Sequence, residues 1–171
     1  VFNDISHTQS DQIICGTNKT RWQIIRRRGA RLKLGQRIIA LANNPDEDVF
    51  NGEQFTITHV PTEIPNGYRM VVMGDDGVER VLRVRAEGFT GHEGEGVAKR
   101  NGRRGPVAAT FADAVTCHKA QGSQWGRVLV IDESRTFSWM HAKEHGGDGL
   151  EMGRRWFYTA LTRASEQVVV R

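Results

Sequence analysis

Residues 116–126 read Thr-Cys-His-Lys-Ala-Gln-Gly-Ser-Gln-Trp-Gly, and the apolar run Val128–Ile131 follows almost at once. This short segment holds a hydroxyl, an imidazole, an ammonium and a Gln-Gly turn. The residues ahead of it, Phe111 to Val115, mix small and apolar side chains. The pattern reads as strand, polar turn, short helix, strand, with polar groups gathered at strand ends. In an open α/β sheet, ligands collect at the carboxyl ends of the strands. A second segment, Arg154 to Ala164 (Arg-Arg-Trp-Phe-Tyr-Thr-Ala-Leu-Thr-Arg-Ala), places a lone Arg163 near the end of a helical pattern.

Working outward, Gln12–Cys15 is a short apolar strand. Thr17 or Asn18 can cap the helix after it, and Gly29 can stop that helix. Ile24 and Ile25 would face the sheet. Arg37–Ala42 is rich in β-formers, and Asn43–Gly52 is a turn-rich loop. Gln54–Val60 alternates as a strand does, until Pro61, Pro65 and Asn66-Gly67 break it. Tyr68–Met73, Asp75-Asp76-Gly77 and Val78–Val84 form a hairpin signal, since Asp-Gly supplies a tight turn. Four or five short strands in so short a stretch point to a small barrel. Ala86–Pro106 is expected to be a long flexible loop. Ala108–Thr116 reads as one strand, His118–Gln121 as the start of a short helix, and Arg127–Asp132 as a buried strand. Glu133–Gly149 reads as a loop, Leu150–Ala164 as a helix, and Gln167–Val170 as a terminal strand. An α/β layer is thus interrupted by a β insert.

The chain has 171 residues, a net charge of +4 and 38% hydrophobic residues. That length suits one or two small domains with a real core. No apolar run approaches a membrane span, so no membrane partner is expected. The start, Val1-Phe2-Asn3-Asp4, carries no signal-peptide pattern and no initiator Met. The expectation is a cytoplasmic segment cut from a longer protein. The two cysteines, Cys15 and Cys117, sit in strand-like contexts and read as buried reduced thiols rather than a disulfide. No C-x-x-C pair offers a zinc site.

The charge is unevenly spread. From Lys19 to Arg37 there are eight Lys or Arg and no acidic residue. Such a face neutralises phosphates by counterion release. A solvated helix with a basic linker accounts for it equally well. Lys99, Arg100, Arg103 and Arg104 sit among glycines, where a mobile loop is the simpler reading.

The Thr116–Gly126 block and Tyr158-Thr159-Ala160-Leu161-Thr162-Arg163-Ala164 resemble motifs V and VI of superfamily 1 DNA helicases, in the RecD-like branch. Gln12 to Arg21 is similar to the first strand and helix start of the second RecA-like domain of such enzymes. The resemblance implies an α/β fold: a RecA-like, P-loop NTPase-type parallel-sheet domain (residues 1–34 and 108–171) interrupted by a small SH3-like β-barrel insert (residues 35–107). No G-x-x-x-x-G-K-[ST] phosphate loop occurs in the sequence. The resemblance therefore implies the C-terminal part of a motor, whose first RecA-like domain lies elsewhere in the same protein. ATP and Mg²⁺ would be bound by the full-length protein and not by this segment alone. Single-stranded DNA would be the partner and the protein a monomer.

The resemblance also distributes roles. Arg163 would be the arginine finger reaching a nucleotide's terminal phosphate, a task for a planar, permanently charged group. Taken alone, an Arg there simply complements a helix dipole. Arg21 is a second finger candidate, with a phosphate-backbone contact or a plain surface Arg as the alternatives. Gln121, Gly122 and Ser123, with Arg163, would bind nucleotide; an ordinary helix end also explains a Gly-Ser pair. Gln124 stands where related helicases often carry an acid. Thr116, His118, Lys119 and Asn18 would contact DNA, although Lys119 alone would read as solvated. Trp125, Trp139 and Trp156 are possible stacking platforms; the spacing of Trp156 with Ala160 puts it in the core, and Trp139 is the expected exposed aromatic.

Two stretches imitate other chemistry. Val128 to Ser134 looks like a Walker B strand, with Asp132 for Mg²⁺ and Glu133 as water activator. Without a phosphate loop ahead of it, we read these carboxylates as capping or pairing nearby. Gly16 to Thr20 looks like the tail of a phosphate loop, but the Gly before Lys19 is missing, so no backbone nest forms. The remaining alternatives are a non-enzymatic nucleic-acid-binding module and a degenerate helicase scaffold.

Overall fold

The computed structural model describes residues 10–91 and 105–171. The chain divides into two compact units. One contains the described residues up to Ile24 together with Ala114–Arg171, and the other is Ile25–Asp113.

The first unit is built on strands β1 (Gln12–Cys15), β8 (Val115–Thr116), β9 (Trp125–Val130) and β10 (Ala164–Val170). They form a parallel sheet in the order β10-β9-β1-β8. Central strands of such sheets are covered on both faces and read as continuous apolar runs. Ile13, Ile14, Leu129 and Val130 are accordingly fully buried. Helix α1 (Asn18–Arg27) follows β1. Thr17 is its cap: Thr17 Oγ1 accepts the Thr20 amide at 3.2 Å. Gly29, at φ +63°, stops it, with Gly29 and Ala30 amides bonded back to Arg26 and Ile25. Ile24 from α1 packs with Ile13, Cys15, Ala114, Leu129 and Ile131.

The stretch 133–149 departs from the expected loop. Ser134–His145 is a helix, α2, and Leu150–Leu161 is a second, α3. The sequence hides α2 because none of its residues is buried, so no apolar stripe marks it. Its stability comes from tertiary packing rather than propensity. Phe137 stacks on Trp156 with ring centroids 5.3 Å apart and planes 12° apart. Two glycines let the helices approach. A Cβ on Gly149 would lie 1.8 Å from the Ser138 carbonyl oxygen, and one on Gly153 2.1 Å from Ser138 Oγ. Trp156 is buried, as its spacing requires, and Trp139 is 63% exposed.

Two further expectations are corrected. Residues 108–116 are not one strand. Ala109–Phe111 (β7) pairs antiparallel with Arg37–Ala40 (β2), whereas β8 joins the parallel sheet. Periodicity is blind to a change of sheet. His118–Gln121 does not start a helix. The Lys119 and Ala120 amides both bond the Thr116 carbonyl, and Gly122, at φ +88°, turns the chain away.

The second unit is an antiparallel sheet containing β2, β3 (Gln54–Ile57), β4 (Thr62–Ile64), β5 (Gly67–Gly74), β6 (Glu79–Arg85) and β7. The β5–β6 hairpin turns through Asp75-Asp76-Gly77, with Gly77 at φ +73°. The sheet curls until its ends meet. Val84 bridges Val107, the Arg85 amide bonds the Val107 carbonyl at 3.0 Å, and the Val107 amide bonds the Arg83 carbonyl at 2.6 Å. Ile38, Phe55, Ile57, Met70, Val72, Leu82 and Val84 fill the interior. Within the expected loop 86–106, Ala86–Phe89 forms a turn of 3₁₀ helix. Lys99, Arg100, Arg103 and Arg104 lie outside the described residues.

Gly149→Ala forces a methyl onto a backbone carbonyl that cannot yield. The expected loss is about 1–3 kcal/mol, read as a lower midpoint in chemical denaturation with an unchanged m-value. Gly149 sits at φ −75°, where Ala is unstrained, so the loss reports the clash alone.

Candidate functional site

All strands of the first unit run the same way, so its sheet has one carboxyl-end edge and one amino-end edge. The polar residues singled out by the sequence fall on both. The carboxyl-end edge carries Gly16–Thr20, Thr116 and Cys117, and Asp132 with Glu133. The amino-end edge carries Ser123, Trp125 and Arg163, because the Trp125 amide bonds the Arg163 carbonyl where β9 and β10 begin. From Trp125 to Asp132 at about 3.3 Å per residue, the two edges are roughly 20 Å apart along the strands.

At the amino-end edge, Arg163 follows α3 in a turn and is half-buried. Its Nε donates to the Thr159 carbonyl at 3.2 Å, one terminal nitrogen to the Ser123 carbonyl at 3.4 Å, and the other to Thr162 Oγ1 at 3.2 Å. Arg163 and the Gln121–Ser123 turn, 40 residues apart in sequence, are thus brought together. Gln121 and Gly122 are exposed beside it.

At the carboxyl-end edge, one carboxylate organises the start of α1. Glu133 Oε2 accepts the Gly16 amide at 2.6 Å and the Thr17 amide at 3.0 Å. Glu133 Oε1 accepts Thr17 Oγ1 at 3.1 Å and Thr20 Oγ1 at 2.7 Å. Asp132 Oδ1 accepts the Ser134 amide at 2.9 Å. Both carboxylates therefore bond the starts of helices. The sequence did not show which helix Glu133 caps, because its partners lie 113–117 residues away. Asn18 is half-buried and Lys19 exposed between Thr17 and Thr20. Thr116 is buried with its carbonyl bonded to Lys119 and Ala120, Lys119 is half-buried, and His118 is exposed.

Arg21 is 4% exposed; its Nε donates to the Ala114 carbonyl at 3.1 Å and its guanidinium lies over the Trp22 ring at 5.1 Å. The first of these contacts ties α1 to the residue just ahead of β8. Among the described residues no group of three or more His, Cys, Asp or Glu side chains could hold a metal ion. Asp132 and Glu133, the carboxylates with the right sequence context for Mg²⁺, are engaged as caps and do not fit that ion.

Cys15 ends β1 and Cys117 follows β8; both are free buried thiols, with the Cys117 amide bonded to the Cys15 carbonyl at 2.8 Å. Burial, and then the Glu133 carboxylate, push the Cys15 thiol up, with Arg21 opposing. Burial pushes Cys117 up to about 11, with Arg163 opposing.

Comparison with known proteins follows this geometry. Residues 111–170 match the family described as UvrD-like helicase C-terminal domain. None of the curated proteins matches the chain with significance. Among solved structures, Pif1 from Bacteroides bound to single-stranded DNA is 14% identical, with 93% of this chain and 40% of that chain covered at a TM-score of 0.56. Unliganded Pif1 from Bacteroides is 15% identical, with 96% and 41% covered at 0.53. Pif1 from Bacteroides in complex with ADP-AlF4 is 14% identical, with 96% and 40% covered at 0.51. The fold is therefore mixed α/β with a parallel sheet, similar to that of Pif1 helicases. The chain spans about two fifths of the length of these solved chains. No helix among the described residues is long and apolar enough to cross a membrane.

Both thiols hold their protons more tightly in the folded state. For Cys117 the stability this contributes is present below the ordinary thiol value of 9.0 and is lost as pH rises toward about 11; Cys15 contributes with the same sign. Iodoacetamide at neutral pH should therefore label neither cysteine in the native protein within the time that labels both in denaturant. Rapid native labelling, read by mass spectrometry, contradicts this burial.

Proposed function

We propose that this chain is the second RecA-like motor domain of an ATP-dependent DNA helicase of the RecD-like branch. The curled antiparallel sheet is, in this reading, its SH3-like barrel insert. The observation that carries the proposal is the contact between Arg163 and the carbonyl of Ser123. It joins the finger candidate to the turn expected to face nucleotide.

ATP would bind between this domain and an N-terminal RecA-like domain of the same protein. That domain would supply the phosphate loop, the Mg²⁺ ligand and the residue that orients water. Mg²⁺ bound there would neutralise phosphate charge. This chain contributes Arg163, whose guanidinium stabilises charge on the terminal phosphoryl group as it leaves. Arg163 takes this role ahead of Arg21, whose side chain is buried and bonded within its own unit. Gln121, Gly122 and Ser123 line the nucleotide side.

The segment from Thr116 to Ser123 runs from one edge of the sheet to the other. A displacement at Arg163 and Ser123 is therefore carried to Thr116, His118, Lys119 and Asn18, which contact single-stranded DNA. Pif1 structures bound to single-stranded DNA and to ADP-AlF4 have the same fold, which supports this assignment of ligands. Alternating affinity for the strand, set by nucleotide state, gives directional movement, 5′ to 3′ by the sequence resemblance. The protein works as a cytoplasmic monomer.

The test is DNA-stimulated ATP hydrolysis by the complete polypeptide, wild type beside Arg163→Ala and Arg163→Lys. Both variants are expected to lose at least about 10³-fold in kcat with nucleotide binding retained, since such fingers contribute about 10³–10⁵ and Lys cannot reproduce the planar fork. Unchanged turnover overturns the finger assignment and leaves a non-enzymatic nucleic-acid-binding module as the better account. The chain alone should not hydrolyse ATP.

A further inference from the structure

We infer that Glu133 is a positioning residue for the DNA-binding edge, acting through the segment Gly16–Thr20. The inference rests on the functional reading above. Glu133 begins two helices at once. Its backbone carbonyl accepts the Phe137 amide at 3.1 Å, a first turn of α2. Its carboxylate, through two amides and two hydroxyls, holds the start of α1.

Each partner is of the type the contact needs. A carboxylate is an acceptor with room for about four hydrogen bonds, and this one meets four donors. Gly16 is required for close approach: a Cβ there would lie 2.9 Å from Glu133 Cβ and 2.5 Å from Phe137 Cε2. Thr17 and Thr20 bracket Asn18 and Lys19, and both hydroxyls are tied to the same oxygen of Glu133. The bracketed residues are therefore presented from a clamp fixed at both ends, and the Glu133 charge is turned inward onto its donors. Truncating Glu133 releases the clamp while leaving Asn18 and Lys19 chemically intact.

The experiment measures binding of the chain to a fluorescent single-stranded oligothymidylate by anisotropy, at fixed low salt, with thermal melting of each variant. Asn18→Ala, a direct contact, is expected to weaken binding about fivefold, the size of one lost hydrogen bond. Glu133→Ala is expected to weaken it at least as much. Glu133→Gln, whose amide can still accept from the backbone and donate to the hydroxyls, should remain within about twofold of wild type. That rescue separates positioning from charge. Wild-type affinity in Glu133→Ala beside weakened Asn18→Ala overturns the inference, even if melting is lowered. Tighter binding by both Glu133 variants also overturns it, since the side chain would then act by repulsion. If Glu133→Ala does not fold, Thr20→Val removes one clamp donor, and unchanged binding by that variant overturns the inference. No binding by the wild-type chain defeats the functional reading itself.

Discussion

The first unit depends on one constraint: β1 must pair on both sides. Cys15 lies opposite Thr116 in β8, and Ile13 lies opposite Leu129 in β9. These partners are more than a hundred residues from β1 in sequence. Once β1 is in place, three loops come to the same carboxyl-end edge. The hydrophobic effect drives this pairing, because Ile13, Ile14 and Leu129 lose all contact with water. The direction of the strands then decides which polar groups meet. Parallel pairing places Gly16, Cys117 and Glu133 side by side, and an antiparallel arrangement would scatter them.

The same constraint separates the two halves of the proposed chemistry. Arg163 precedes its strand and Thr116 ends one, so a parallel sheet sends them to opposite edges. The two clusters therefore start from opposite ends of the strands, although the Arg163 charge still reaches Cys117. The turn at Gly122 lies on the path between them. Its positive φ, costly for any residue with a Cβ, lets the chain leave Thr116 and arrive at Trp125 without a helix.

Several features were legible because local physics decides them. Val128–Ile131 is too apolar to be anything but buried. Asp75-Asp76-Gly77 between alternating runs allows little besides a hairpin. Gly29 supplies the left-handed stop that α1 needs. Other features were illegible because distant groups decide them. Helix α2 carries no buried face, and it exists through the Phe137–Trp156 stack and the close approach at Gly149. The stretch 108–116 has one uniform pattern, yet each half serves a different sheet.

The sequence alone determined the alternation of apolar strands with polar turns and the β-rich stretch set between two α/β stretches. Those follow from side-chain type and spacing, which act over a few residues. Only the tertiary structure decided that Arg163 meets Ser123, that Glu133 closes on Thr17 and Thr20, and that Arg21 is buried against Ala114. Such contacts join residues that chain connectivity leaves far apart. Their geometry is set by strand order and direction, which no local pattern encodes.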